Sequence, residues 1–394
     1  VRKIYLDHNA TTPVHPQVIE AMLPFMNERF GNPSSVHSLG QDTREAMEKA
    51  RETVASAFGA RKDEIVFTSG GTESDNLAIS GVVGALCKKG KHIITSKIEH
   101  HAVLATCEHL AGIGFEVTEV PCDKYGIVDP EEVRRAIRSD TILITIMHAN
   151  NEVGTIEPVE EIGEIASEKE IVFHSDAVQS FGKVDLNTSK IKVNLLSVSS
   201  HKIYGPKGVG ALYVRRGTPL SPIVFGGHHE KKRRAGTENV PGIIGFAKAV
   251  EIASADITST NRSMLALRNR LEEGIMSSIP NVRLNGHPTK RLPSTLNVSF
   301  EFVEGESLVL SLDMEGIAVS SGSACTSGSL EPSHVLLAMG VPADVAQGSV
   351  RFSLGRDNTE ADVDYVLGVL PRIVDRLRAI SPLFKKSGAG IGGG

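Results

Sequence analysis

Lys202 follows Ser199-Ser200-His201 at the end of an apolar, largely β-branched and aliphatic run, Val193 to Val198. Behind it, Gly205, Pro206 and Gly208 set a tight turn with little room for side chains. Lysine is almost never fully buried without a partner, so a lysine at the mouth of a buried strand asks for a chemical use. In a partly desolvated pocket its amine loses the proton and condenses with an aldehyde. Asn151, Asp176, Gln179, Ser199 and His201 also stand just past apolar runs. A carboxylate such as Asp176 can keep a pyridine nitrogen protonated, and with an imine-forming lysine that suits pyridoxal phosphate. Ser69-Gly70-Gly71-Thr72 opens a helical stretch, where free N–H groups and the helix dipole favour a phosphate. Ser199 and His201 can add to that site, and His100 can stack on the ring. Neighbouring His100 and His101 do not readily face one metal ion, and His109 has no carboxylate cluster beside it.

Cys325 is the second chemical signal. Between Val319 and Leu330 there is no large apolar residue, so the loop is expected to be mobile and its thiol accessible. Cys87, Cys107 and Cys122 lie in or beside regular elements and read as structural.

Elements alternate in a way that can hold these residues on one rim. Strands are expected at 64–68, 92–96, 142–147, 171–173 and 193–198, with helices at 43–58 (Gly59 following as its stop), from 74 to about 87, after His101, and around 159–166. Such alternation implies a parallel sheet with right-handed crossovers and ligands beyond the carboxyl ends of its strands. Gly210–Val214 reads as an antiparallel or edge strand, and a long helical region from 240 to 279 leads to a second domain. That domain reads as strands at 294–300 and 350–354 with helices at 307–314 and 360–377.

With 394 residues, of which 40% are apolar and 23% charged, the chain is long enough for two or three ordinary globular domains. A net charge of −5 gives no basic field for nucleic acid, and no apolar run is long enough to cross a bilayer. The four cysteines form no C-x-x-C pair, and a reducing cytoplasm is the expectation. The first residues enter a strand-like pattern and do not read as a signal peptide. Residues 387–394 read as a disordered tail.

The sequence resembles the NifS/IscS-type cysteine desulfurases, which are fold-type I pyridoxal-phosphate enzymes of the class V aminotransferase family. The motifs that carry the resemblance are Tyr5-Leu6-Asp7 with Ala10-Thr11-Thr12-Pro13, Gly31-Asn32-Pro33-Ser34-Ser35, Thr68 to Asn76, Glu99-His100 and Asn150-Asn151-Glu152. They continue through Asp176-Ala177-Val178-Gln179, His201 to Gly208, Ser320 to Cys325 and Val350 to Ser353. The resemblance implies an α/β fold: a large domain with a mostly parallel, seven-stranded type of sheet flanked by helices, plus a smaller α+β domain. It places the large cofactor domain at 15–257 and the small one at 1–14 and 258–386, the latter carrying the cysteine loop.

By resemblance, Lys202 forms the Schiff base and moves the Cα proton, His100 stacks and assists, Asp176 meets the ring nitrogen, and Gln179 meets the phenolic oxygen. Gly71, Thr72, Ser199 and His201 bind phosphate, joined by Thr237 from the other subunit of a homodimer. Asn151 and Arg351 hold the substrate carboxylate, a task that suits the arginine fork. Cys325 takes the sulfur of L-cysteine as a persulfide, leaving L-alanine, and passes it to an iron–sulfur scaffold or another sulfur acceptor. Cys325 is also a candidate ligand of a cluster shared with the scaffold. His228 and His229 depart from a turn expected to read Gly-Gly-Gly-Gln-Glu, and Lys231-Lys232-Arg233-Arg234 is more basic than in many relatives. The rival readings are a selenocysteine lyase or another fold-type I enzyme, and a non-catalytic platform for a scaffold. The joint presence of Lys202 and Cys325 argues against the platform.

Overall fold

A computed structural model describes residues 3–322, 331–382 and 384. Its centre is a seven-stranded sheet in the spatial order Ile65–Thr68, Gly210–Val214, Leu195–Ser199, Val172–Asp176, Thr141–Thr145, His92–Ser96, Glu116–Val120. The five strands from Leu195–Ser199 to Glu116–Val120 pair in parallel. Leu195–Ser199, Val172–Asp176, Thr141–Thr145 and His92–Ser96 are buried at every position, as strands covered by helices on both faces must be. Gly210–Val214 is antiparallel to both its neighbours and stands inside the sheet, not at its edge. The short turn after Lys202 explains the antiparallel return, since a parallel one needs a crossover of about a dozen residues or more.

Two helical expectations change most. The helix expected from Thr43 begins at Ser38, because His37 caps it by accepting from Gly40 N at 3.3 Å. The long helical region breaks into Val240–Ala255 and Ile257–Ser278. Asp256 leaves the helical region (φ −133°, ψ 20°) and its carboxylate accepts from Thr260 Oγ1 at 3.3 Å. Aspartate favours such ends over helix interiors.

A second core surrounds a four-stranded sheet ordered Ser320–Ser321, Ser349–Ser353, Thr295–Phe300, Val282–Asn285. Ile4 and Leu6 belong to this core, and Ile4–Tyr5 pairs in parallel with Ile317–Ala318. The expectation of an unanchored stretch from Val319 onward is corrected here. Val319 is buried, and Ser320 and Ser321 pair with Arg351 and Val350. Past the loop, Val335, Leu336 and Met339 pack into the core of the large sheet, so the segments flanking the loop are fixed to different cores. Cys325 and residues 387–394 lie outside the described residues.

The stretch 228–234 is held from beneath. Glu230 accepts from Arg51 through two bonds of 2.7 Å and from Phe67 N at 2.9 Å, with both side chains buried. Glu230, Lys231 and Lys232 all have positive φ, a costly backbone run that the clamp helps to hold. His229 Nδ1 accepts from Gly236 N at 3.2 Å and ties the turn's two ends, while His228 is exposed. Arg51→Met strands a buried carboxylate and should cost about 3–5 kcal/mol. A fall in the urea midpoint should show this, and Arg51→Met with Glu230→Gln should recover part of it. A single variant as stable as the wild type would remove the clamp from the account.

Candidate active site

Lys202, Asp176, Asn151, Gln179, Ser199 and His201 line one cavity of about 300 Å³, together with Gly71, Thr72, His100 and Arg351. Thr237 is exposed and lies outside that lining.

Lys202 ends a single 3-10 turn, Ser200–Lys202, directly after the strand Leu195–Ser199. Its Nζ donates to Asn9 O at 2.5 Å and Ala10 O at 2.7 Å. Asn9 O also accepts from Gln179 Nε2 at 2.9 Å. Asn9 Nδ2 donates to Asn151 O and Thr295 Oγ1, so one buried residue ties together both sheets and the lysine.

Asp176 closes the strand Val172–Asp176, and its Oδ1 accepts from Val178 N at 2.8 Å. Burial pushes its carboxyl up, against the pull of Lys202. Burial, then Asp176, push the fully buried Asp75 carboxyl well up. Beneath them His174 is buried and neutral, its proton affinity pushed down to about 3 by burial, so its 3.6 Å approach to Asp75 is not an ion pair. A cationic ring nitrogen supplies the opposite charge that a desolvated carboxylate at Asp176 calls for.

His100 is the N-cap of the helix His101–Gly112. Its Nδ1 accepts from Ala102 N at 3.1 Å, which leaves the proton on Nε2. Burial, then Lys202, push it down to about 4, so the cavity receives a neutral ring. The helix Gly71–Leu86 brings its amino end to the same cavity. A Cβ on Gly71 would meet Val178 Cγ2 at 2.7 Å, so only glycine leaves that backbone bare. Ser199 Oγ is buried with no hydrogen-bond partner among the described atoms. An orphaned hydroxyl, bare backbone and a helix amino end are what a phosphate needs, and pyridoxal phosphate fits these residues. His201 donates or accepts at Thr11 Oγ1 (3.1 Å) and is pushed down to about 4 by burial, then Lys202. Glu73, in the first turn of that helix, is paired with Arg234 at 2.7 and 3.1 Å. Burial works to raise Glu73, but the bonds from Arg234 and Ser69 prevail and hold it below the usual range.

Arg351 and Asn151 come together, though not as two open donors. Arg351 Nη1 donates to Asn151 O at 3.0 Å and Nη2 to Asp7 Oδ1 at 2.8 Å, while buried Nε has no partner among the described atoms. Asp7 and Asn9 are the site residues that the reading of the sequence missed. Their signal was the polar break Asp7-His8-Asn9 straight after a strand. Cys107 is buried and Cys122 half-buried, and burial pushes both thiols up to about 12. Cys87 departs from its structural reading, for it is exposed at the end of its helix. Among the described residues no cluster of histidine, cysteine or acidic side chains could hold a metal ion.

Glu99, next to His100, is buried. Its Oε1 accepts from Ser96 Oγ at 2.6 Å and Met147 N at 2.9 Å, and Oε2 has no partner. Burial raises it from 4.5 to about 8. A carboxyl raised on folding contributes stability that is complete below 4.5 and is lost as the pH climbs through 8. Glu99→Gln should therefore flatten the loss of denaturant stability between pH 5 and pH 8. An unchanged pH profile in that variant would contradict it.

Residues 4–366 match the model of the "Aminotransferase class-V" family. The chain is 58% identical to a cysteine desulfurase IscS of Methanosarcina thermophila, covering 98% of this chain and 95% of that protein. It is 55% identical to one of Dictyoglomus turgidum, covering 97% of each. Among solved structures it is similar to a NifS-like protein (TM-score 0.90, 42% identity, covering 95% of this chain and 100% of that one). It is also similar to SspA in complex with cysteine (TM-score 0.80, 39% identity, covering 91% of this chain and 100% of that one).

Proposed function

We infer, from the chain's place in the class-V aminotransferase family, to which it belongs, that it is a pyridoxal-phosphate-dependent cysteine desulfurase. It converts L-cysteine to L-alanine and supplies sulfur for iron–sulfur cluster assembly. The observation that carries the reading is the convergence of Lys202, Asp176 and the amino end of Gly71–Leu86 on one cavity. When bound, pyridoxal phosphate supplies an electron-accepting ring for the pair released as the substrate Cα–H bond breaks.

The protein's residues divide the remaining work. Lys202 holds the cofactor's aldehyde and then moves the proton at the substrate Cα. Asp176 holds the charge of the ring nitrogen, and Gln179 donates to the ring oxygen. Gly71, Thr72, Ser199 and His201 hold the phosphate. Neutral His100 covers the ring and assists the proton. Arg351 and Asn151 receive the substrate carboxylate, with Asp7 fixing the arginine's orientation. Cys325 receives the sulfur as a persulfide.

Residues 15–257 act as the cofactor domain, with 1–14 and 258–386 as the small domain. The working unit is a homodimer, which lets the exposed Thr237 reach the phosphate of a second subunit. Large apolar side chains left open to solvent support this: Met26 is 65% exposed, Phe30 66%, Val36 87% and Phe225 82%. No helix among the described residues is long and apolar enough to cross a membrane. The setting we assign, from the likeness to IscS-type relatives, is the cytoplasm. The sulfur acceptor we assign is an iron–sulfur scaffold or another sulfur-accepting protein. The test is a purified holoenzyme given L-cysteine and a thiol reductant. Alanine and sulfide should appear in equal amounts, and alanine without sulfide would overturn the assignment.

A further inference from the structure

Lys183 is buried and takes no part in the mechanism above. It cannot swing outward as surface lysines do. Gly182 turns the chain at φ +69°, where a Cβ would meet Ile203 Cγ2 at 2.8 Å, and Lys183 O accepts from Asn261 Nδ2 at 2.5 Å. Its Nζ points back to the active site and donates to Gln179 Oε1 at 3.3 Å. The other face of the same amide donates through Nε2 to Asn9 O, where Lys202 Nζ also lands.

A buried ammonium is normally matched by a carboxylate. The charged and titratable groups that face Lys183 are Lys202, Arg351 and His8, with Tyr204 and Arg356 across the adjoining cavity. Among the described residues no acidic one lines that cavity. Burial, then Lys202, then Arg351, push Lys183 down to about 7. An amide whose oxygen faces an ammonium has one orientation, with its N–H side forward.

We propose that Lys183 is a positioning residue of the cofactor site: by donating to Gln179 Oε1 it turns the amide's N–H side toward the cavity. This rests on the cofactor assignment made above. A forward-facing donor favours the deprotonated form of the Lys202-bound cofactor. Removing it raises the pH at which its absorbance changes.

The experiment is a spectrophotometric pH titration of holoenzyme without substrate. Lys183→Met should raise the midpoint by about one pH unit. Lys183→Gln keeps a donor for Oε1 and should return the midpoint part of the way to the wild type. A wild-type midpoint in Lys183→Met overturns the proposal, as does a Lys183→Gln midpoint no nearer the wild type than that of Lys183→Met. If Lys183→Met does not fold, Gln179→Met becomes the reference for the lost contact. Lys183→Gln must then lie closer to the wild type than to Gln179→Met, and coincidence with Gln179→Met overturns the proposal. Borohydride reduction of the wild type separates the two inferences. Cofactor mass absent from Lys202 sinks the cofactor assignment, whereas a normal tag at Lys202 with unmoved midpoints sinks only the role of Lys183.

Discussion

Lys202→Ala is expected to abolish alanine formation and to leave a folded protein that holds the cofactor reversibly. Lys202 is only partly buried, and the variant loses two hydrogen bonds to the carbonyls of Asn9 and Ala10, each worth about 1 kcal/mol net. Burial around Asp176, Asn9 and Ser199 does not depend on its side chain, so the sheet edge should survive. The chemical loss is much larger. One amine both anchors the aldehyde and moves the Cα proton, and a positioned proton-transfer group alone contributes about 10²–10⁴-fold. Alanine release, circular dichroism and borohydride tagging of the same preparations test this together. A variant with wild-type turnover would remove Lys202 from the mechanism.

Cys325→Ser is expected to separate the two halves of the reaction. A serine hydroxyl is not ionised at neutral pH, whereas a free thiol is a few per cent thiolate there. The variant should still exchange the substrate Cα proton with deuterated solvent, since Lys202, Asp176 and His100 are untouched. It should release neither alanine nor sulfide. The other thiols make this a demanding control. Cys107 and Cys122 are pushed up to about 12 by burial and cannot stand in as nucleophiles, and Cys87 is exposed. Mass spectrometry after L-cysteine without reductant should place a persulfide on Cys325. A persulfide only on Cys87, with Cys325→Ser fully active, would move the sulfur-accepting role to Cys87.

What was legible in the sequence followed burial. Leu195–Ser199 and His92–Ser96 are buried throughout, so their composition marks them, and the residues that follow them fall on one rim. Glu116–Val120 was missed because it is the sheet's outer strand, mostly exposed or half-buried, and carries two glutamates and a threonine. Asn9 was missed for a different reason. What it offers Lys202 is a main-chain carbonyl, which every residue type possesses. The clamp between Arg51 and Glu230 spans 179 positions, and nothing local to either residue announces the other. Nothing in the sequence around Lys183 singles it out, since its burial follows from the helix Ile257–Ser278 packing close by, with Asn261 reaching back to it.

The pairing of Ile4–Tyr5 with Ile317–Ala318, and of Leu6 and His8 with Ser353, bears on the order in which the protein is made. The segment that delivers Asn9 to Lys202 is translated before its sheet partners, which follow more than three hundred residues later. At about 5–20 residues per second that is a delay of tens of seconds. The large sheet can form in that interval, but its lysine lacks the two carbonyls that will receive it. Cofactor capture during synthesis is therefore a late event, and a nascent chain stalled before Ser349 should take up little pyridoxal phosphate.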